Sequence, residues 1–178
     1  YRYLSITLQQ FSRGRINTDA TWMAAFQGVV EDYVKNIKRV IQNPHSQIIN
    51  YRTSRKAEHI KYWTPAMEER YGEVQKEGKL EEYYFGYNEA HSTHDTMENR
   101  FVKYTLQSIG RKLSTIISTV LNTSQEGLSE RHREVWIGYQ DSLRKLAKHP
   151  FFRSVSRYDG MKQESLVLQS RVGYQQIY

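Results

Sequence analysis

Three long stretches of the sequence repeat apolar residues every three or four positions, the period of one face of an α-helix. The first, "NTDATWMAAFQGVVEDYVKNIKRVIQNP", follows polar residues suited to capping a helix and ends at Asn43-Pro44. This pattern predicts a helix over about residues 19–42. The same period predicts two further helices, over about 96–122 and 127–148. Helices of this length can bury an apolar stripe only by packing against one another.

The segments between the long helices have weaker patterns. Thr64-Pro65 suits the start of a helix over about 66–77, which Gly78 would end. Residues 79–93 fit an exposed loop or a short strand. The predicted fold class is therefore mainly α, an elongated helical bundle of three or more long helices with irregular connections. The predicted organisation is a lead-in with a possible short strand (1–16), a helical bundle domain (17–160) and the start of a connection to a C-terminal domain (161–178).

Composition narrows the possible partners of the chain. The net charge of +7 over 178 residues and a pI near 9.5 favour polyanions, above all nucleic acid. No run of about 18 apolar residues occurs, so no membrane partner is expected. With no cysteine, disulfides and thiolate metal sites are excluded, and a cytoplasmic location is compatible. A homo-oligomer is compatible with these features.

Basic residues cluster around 52–61, 100–112 and 131–157. Lys and Arg neutralise DNA phosphates and release the counterions around them, so these clusters are the candidate DNA-binding sites. The alternatives are a solvated face and a surface for an acidic protein. The DNA-binding candidates are Arg52, Arg55, Lys56, Lys61, Arg100, Lys103, Arg111, Lys112, Arg131 and Arg133.

Candidate chemistry elsewhere is sparse. Asp95 and Glu98 have the spacing of a capping box, with Asp95 as N-cap, which explains Glu98 without catalysis. His91 and His94 lie near Asp95, but "HSTHD" lacks the context of a zinc site, and no metal site is predicted. No phosphate-binding glycine loop or serine nucleophile elbow is present. The sequence predicts no catalytic residue in this chain.

Aromatic residues cluster in "EEYYFGYNE", at Tyr83, Tyr84, Phe85 and Tyr87. Such a cluster can stack on bases, contact a partner subunit or pack a loop onto the core. Packing is the commonest of the three. Three tryptophans, Trp22, Trp63 and Trp136, are expected in the core.

"DTMENRFVKYTLQSIGRKL" resembles a "TPENRFVK" signature of the McrC-like subunits of McrBC- and LlaJI-type restriction systems. Its motif residues here are Glu98, Asn99, Arg100, Phe101 and Lys103. "IKRVIQNPHSQIINY", "LRKLAKHPFFRSV" and "SLVLQSRVGYQQIY" resemble further stretches of that family, in the same order. One departure is Thr96-Met97 where the family has Thr-Pro, and Met lacks the fixed φ of proline.

The resemblance implies a role in antiviral defence. In that family a helical region precedes a PD-(D/E)XK nuclease domain, and an AAA+ GTPase or ATPase motor drives cleavage of foreign or modified DNA. The nuclease motif holds Mg²⁺ through an acidic residue and Asp/Glu-x-Lys. Only poor matches occur here, such as "EVQK" and "MKQE". The sequence begins at Tyr1 rather than Met, so we expect a fragment of a longer protein. Because the nuclease motif has only poor matches here, we expect this fragment to be non-catalytic and to need no cofactor, with Mg²⁺ in the missing nuclease domain.

Three functional hypotheses remain open at this point. The first is a non-catalytic scaffold or linker in an McrC-like subunit that contacts DNA phosphates or the motor. The second is a stand-alone basic DNA-binding module. The third is a divergent nuclease fragment in which Glu98 acts with residues distant in sequence.

Overall fold

The computed structural model describes residues 20–123, 130–160 and 164–178, with side chains from residue 27 onward except at 116, 119–123 and 130–132. Two strands form a sheet, β1 (Gln47–Arg55) and β2 (Phe85–Thr93). The helices are α1 (Ala20–Gln42), α2 (Pro65–Lys76), α3 (Met97–Thr123), α4 (Glu130–Ala147), α5 (Leu166–Ser170) and α6 (Tyr174–Ile177). Short 3₁₀ helices cover Ala57–His59 and Pro150–Arg153.

The predicted fold class, a mainly α elongated bundle of three or more long helices, is wrong. Over the described residues the fold is mixed α/β, with 60% helix and a two-stranded antiparallel sheet. β1 and β2 pair along their full length, from Gln47 opposite Thr93 to Arg55 opposite Phe85. The sequence conceals this pairing because residues 56–84 separate the strands, so no two-residue turn marks a hairpin.

The four predicted helices are confirmed, with ends displaced by a few residues. α1, α3 and α4 match the three periodic runs. α2 begins as predicted, with the Thr64 side chain accepting from the Met67 amide and Pro65 in the first turn. Gly78, at φ +71°, follows the helix end, where a left-handed residue lets the chain leave the helix.

Residues of the chain separate into two compact units. Unit 1 comprises the described residues of 20–46 and 94–178, and unit 2 comprises 47–93. Unit 1 has one apolar core, to which α1, α3 and α4 each contribute one face. Phe152 and the C-terminal segment also contribute side chains to this core. The fully buried members of this core include Ile37, Leu106, Ile109, Leu113, Leu143, Leu168, Tyr174 and Ile177. Each such side chain contributes about 1.5–3 kcal/mol by its removal from water.

Unit 2 is anchored by aromatic packing at one end of its sheet. Phe85 is buried and makes edge contacts with Trp63 and Tyr83, at centroid distances of 5.3 and 4.8 Å. Tyr71 of α2 contacts Trp63 at 5.3 Å. A two-stranded ribbon alone is marginal in water, so this cluster holds α2 against the sheet and stabilises both.

The possible strand in residues 1–16 lies outside the described residues. Within the described ranges, no helix is both long enough and apolar enough to cross a membrane.

Candidate functional site

Asn99 is the most enclosed residue of the motif, with an exposed fraction of 0%. Its side-chain amide donates to two backbone carbonyls, those of His45 at 2.8 Å and His94 at 2.7 Å. Its oxygen accepts from the Tyr174 hydroxyl, which in turn accepts from the His45 amide at 2.7 Å. Burial raises the pKa of Tyr174, so its phenol stays protonated and able to donate. Both donors of this amide and its oxygen are therefore engaged inside the fold.

Glu98, at the same helix start, is held by Ser165 and lies near His45. The Ser165 hydroxyl donates to Glu98 Oε1 at 2.6 Å, and His45 Nε2 lies 4.0 Å from Oε2. Burial alone would raise the pKa of Glu98, but hydrogen bonds, first that of Ser165, lower it overall. Ser165 also caps α5, because its oxygen accepts from the Leu168 amide at 3.4 Å. The carboxylate therefore ties α3 to α5.

Asp95 and Arg100 form a two-pronged ion pair, with both N–O distances 2.8 Å. The same carboxylate accepts from the amide and the hydroxyl of Ser156, each at 2.7 Å. Arg100, and then Ser156, hold the pKa of Asp95 well below its usual range despite the opposing effect of burial. Paired geometry of this kind is the strong form of charge-assisted hydrogen bonding.

Lys103 and Phe101 complete the motif. The Lys103 ammonium donates to the carbonyls of Phe152 and Val155, at 2.9 and 2.5 Å. Phe101 is buried and makes edge contacts with the rings of Tyr158 and Tyr178, at 5.5 and 5.8 Å. Each residue of "ENRFVK" that the resemblance singles out is therefore engaged in holding segments of unit 1 together.

The predicted capping box is wrong in its residues. The N-cap of α3 is Thr96, whose hydroxyl accepts from the Asn99 amide at 3.3 Å and whose carbonyl accepts from the Arg100 amide at 3.0 Å. Asp95 is one residue too early and is committed to Arg100 and Ser156. The interpretation that Glu98 has a structural explanation stands, with Ser165 as its partner.

The four segments that carry the resemblance meet at one place in unit 1, which we call the junction. It consists of residues 43–45, 94–103, 149–156 and 165–174. Besides the contacts above, the Arg171 guanidinium donates to the carbonyl and the side-chain oxygen of Asn43, at 3.1 and 3.0 Å. Segments more than 120 positions apart are thus joined through polar side chains that a single sequence cannot connect by spacing.

A groove of about 1010 Å³ lies beside the junction, between α3, α4 and residues 157–158. Three arginines line it, Arg111, Arg144 and Arg157, together with Tyr104 and Tyr158. The tyrosine rings are 5.4 Å apart and tilted by 34°. Among the described residues no acidic side chain lines the groove, although Asp141 pairs with Arg144 at 3.4 Å on the exposed surface. Positive charge, amides and aromatic rings in one groove suit a phosphate chain.

The charge of the two units differs. Unit 2 holds seven basic and eight acidic residues, whereas the described residues of unit 1 hold 15 and nine. The positive excess of the protein is therefore carried by unit 1, where the groove lies.

Only part of the predicted DNA-binding set lies in the groove. Arg111 and Lys103 line it, but the Lys103 ammonium is occupied by two carbonyls. Arg100 is paired with Asp95. Lys112 and Arg133 are half-buried on α3 and α4, and Arg131 has no described side chain.

The four DNA-binding candidates in unit 2 differ in their surroundings. Arg55 pairs with Glu89 at 2.6 Å, and Lys56 lies 6.0 Å from the Tyr84 ring. Arg52 and Lys61 are exposed. A second cavity, of about 710 Å³, is walled by Trp63 and Tyr71. Three glutamates also line this cavity, Glu58, Glu68 and Glu81, so it does not suit phosphate.

The aromatic cluster of residues 83–87 is mainly packing, as Phe85 is buried and Tyr83 contacts it. Trp136 is in the core, Trp63 is half-buried, and the Trp22 side chain lies outside the described residues. His91 pairs with Glu89 at 3.4 Å and meets Tyr51 edge-on. In the part of the chain that the structure describes, no three potential ligands gather to hold a metal ion.

Arg144 and Arg157 of the groove lie within the predicted basic cluster of residues 131–157, although they were not named singly as candidates. Arg144 lies one helical turn after Gln140 on α4. Gln140 donates to Ser114 of α3 at 2.7 Å, so this face of α4 is turned toward α3. Sequence reasoning missed Ser156, Ser165 and Tyr174 of the junction. The serines and Tyr174 have no local signal, since their partners lie 61 to 75 positions away.

The fold and site define a mixed α/β domain built around a polar junction, with a basic groove on its larger unit. The chain belongs to the family described as "Domain of unknown function (DUF2357)", whose model matches residues 1–178. Comparison with curated proteins and with solved structures gave no match.

Proposed function

We propose that this chain is a non-catalytic scaffold domain that contacts DNA phosphates through the groove of unit 1. The observation that carries the proposal is the groove itself, in which Arg111, Arg144 and Arg157 converge and no acidic side chain of the described residues takes part. Arg157 is exposed and makes no ion pair with any described residue. An arginine left free beside tyrosine rings can pair with phosphate while the rings stack on bases.

The non-catalytic part of the proposal rests on the junction. Glu98, Asp95 and Lys103 are the residues that a metal-dependent nuclease would need near "ENRFVK". Each is already satisfied by Ser165, Arg100 or a backbone carbonyl. A catalytic carboxylate must be free to bind Mg²⁺ or to move a proton, and breaking these bonds would open the core of unit 1.

The wider setting of the proposal comes from the resemblance. We place the domain in a cytoplasmic McrC-like restriction subunit, where it would connect an AAA+ motor partner to a Mg²⁺-dependent nuclease domain. The convergence of the four resembling segments in one junction supports this placement, because matches that arose by chance would have no reason to meet in space.

The test is a binding titration by fluorescence anisotropy with a labelled DNA duplex of about 20 base pairs, between about 50 and 200 mM salt. The variant Arg111→Gln/Arg157→Gln removes two charges from the groove. The control Lys35→Gln/Lys38→Gln removes two exposed charges from α1. Each phosphate contact adds about 0.9 to the slope of log K against log salt.

We expect the groove variant to lower the slope by about 2 and to weaken binding at least tenfold at low salt. The control should change affinity less than about threefold. Equal losses in both variants would mean attraction by net charge alone, and unchanged binding in the groove variant would remove the groove from the function.

A further inference from the structure

One face of the sheet in unit 2 is exposed along its whole length. Side chains alternate between faces along a strand, and directly paired residues share a face. The opposite face carries the buried Phe85 and the half-buried Ile49, Thr53 and Tyr87. The exposed face, which we call the ribbon face, consists of Ile48, Asn50, Arg52, Ser54, Gly86, Asn88, Ala90 and Ser92.

The polar side chains of the ribbon face are unused within the fold. The side chains of Asn50, Arg52 and Asn88 form no hydrogen bond or ion pair with any described residue. The one acidic residue of the two strands, Glu89, lies on the opposite face and pairs with Arg55 at 2.6 Å. The ribbon face therefore offers free amides and a free guanidinium, with no carboxylate to repel DNA.

The register brings these three side chains together. Arg52 is directly opposite Asn88, and Asn50 is opposite Ala90. Opposed Cβ atoms lie about 5 Å apart, and Asn50 and Arg52 are separated along β1 by about 6.8 Å. Small residues at Gly86 and Ala90 keep the surface low around them. Together they form a polar surface that is two strands wide and several residues long.

We propose that the ribbon face reads base edges in the major groove of duplex DNA. That groove, about 12 Å wide, admits a two-stranded ribbon. Arg52 has the fork of donors that pairs with guanine O6 and N7. Asn50 and Asn88 have the amide that pairs with adenine N6 and N7. Ile48, 75% exposed, can contact a thymine methyl.

The inference rests on the proposed function only in taking DNA as the ligand, and it does not need the groove. It assigns sequence discrimination to unit 2, whereas the arginine groove supplies affinity that is independent of sequence. Duplex RNA is excluded as the ligand, because its major groove is too narrow for side chains to read.

The test is selection from a library of random-sequence DNA duplexes with the full chain at about 150 mM salt, followed by sequencing and by titration of an enriched duplex. The ribbon variant is Asn50→Ala/Asn88→Ala. The matched control, Gln47→Ala/Gln75→Ala, removes two exposed amides of the same unit away from the ribbon face. Circular dichroism checks that each variant is folded.

We expect the wild-type chain and the control to prefer the enriched duplex over an unrelated one by about 5- to 100-fold. The ribbon variant keeps Arg52 and should lower this preference by at least about fivefold, through the loss of discrimination at the adenine positions. Its affinity for the unrelated duplex should stay within about twofold. The groove variant Arg111→Gln/Arg157→Gln should bind both duplexes more weakly and keep the preference.

Three results would overturn the inference: no enriched sequence, a preference that is unchanged in the ribbon variant, or equal binding to duplex RNA of the enriched sequence. They are distinguishable from failure of the proposed function, which predicts weaker binding in the groove variant whether or not a preference exists. A ribbon face that serves a protein partner would give the first result.

Discussion

Asn99 and Tyr174 are 75 positions apart in the sequence and share a buried hydrogen bond. The bond belongs to a chain of contacts that runs from the Asn99 amide through the Tyr174 hydroxyl to the His45 backbone. It links the end of α1, the start of α3 and the start of α6. A polar group buried without a partner is costly, so these residues depend on one another.

Asn99→Ala should lower the free energy of unfolding by about 2–4 kcal/mol, because the buried Tyr174 hydroxyl loses the acceptor for its proton and the carbonyls of His45 and His94 lose the amide that donates to both. Urea unfolding followed by circular dichroism measures the change. The control is Asn88→Ala, an exposed amide in β2, with an expected change within about 0.5 kcal/mol. Equal effects of the two variants would contradict the assigned role of Asn99.

Tyr174→Phe tests the same network from its other end. The ring still fills the core, and only the hydroxyl is lost, so we expect a cost of about 1–2 kcal/mol. In a double-mutant cycle with Asn99→Ala, a coupling energy of about 0.5–3 kcal/mol is expected for residues in contact. Additive effects within about 0.3 kcal/mol would show that the two side chains act independently.

Asp95→Asn should change how stability depends on pH. The folded state lowers the pKa of Asp95 below its ordinary value of 3.8, so in acid the unfolded state binds more protons. The stabilisation is present above pH 3.8 and is lost as the pH falls from there through the lowered pKa. The stability difference between wild type and variant should therefore shrink below about pH 4.

Urea unfolding at a series of pH values between 7 and about 2.5 measures that difference. The matched control is Asp141→Asn, which removes an exposed pair with Arg144 and should have little effect. A difference for Asp95→Asn that stays constant across the series would mean that the ion pair with Arg100 is not the source of the stabilisation.

Gly173→Ala should destabilise the protein by about 2–3 kcal/mol. Gly173 has φ +90°, and an added Cβ would lie 3.2 Å from Cγ2 of Val40. Backbone strain in this region costs about 1–3 kcal/mol for other residues, and the Val40 side chain must also shift by a few tenths of an ångström to admit the methyl group. Thermal and urea unfolding measure the loss.

The control for this substitution is Gly138→Ala on α4. Gly138 is exposed, and an added Cβ there would meet nothing within 4 Å. Alanine is the better helix former, so a gain of about 0.5–1 kcal/mol is expected. A loss at both positions would show that the effect at Gly173 is not specific to its backbone conformation.

Incubation of the purified chain with duplex DNA and Mg²⁺ should give no cleavage on a gel. The reason is that the carboxylate of Glu98 is bound by Ser165 at 2.6 Å. Cleavage by wild type that Glu98→Gln abolishes, in a protein shown by circular dichroism to be folded, would establish the nuclease hypothesis instead.

The helices of this chain could be predicted because their signals are local. α1 is an example, since Val30, Ile37 and Val40 mark one face by spacing and Asn43-Pro44 marks its end. The sheet could not be predicted in the same way. β1 and β2 each expose one face, so their apolar alternation is weak, and their pairing depends on α2 and the Phe85 cluster between them.

The candidate sites show the same division. Arg52 and Arg111 were found from charge clustering, which is local, and both lie on surfaces that the structure leaves open. Arg100 and Lys103 carry the same signal, yet the fold satisfies both internally. Charge in the sequence could not distinguish the exposed Arg52 and Arg111 from the occupied Arg100 and Lys103. The difference depends on the position of the Asp95 carboxylate and of the carbonyls of residues 152 and 155.

By itself, the sequence determined the positions of the long helices, the positive charge and the residues that carry the motif. Periodicity, end signals and residue type are properties of neighbouring positions. Only the tertiary structure decided that the motif is a structural junction, that three arginines share a groove, and that one face of a ribbon is left unpaired. Those outcomes depend on which distant backbone and side-chain groups the fold brings within hydrogen-bonding distance.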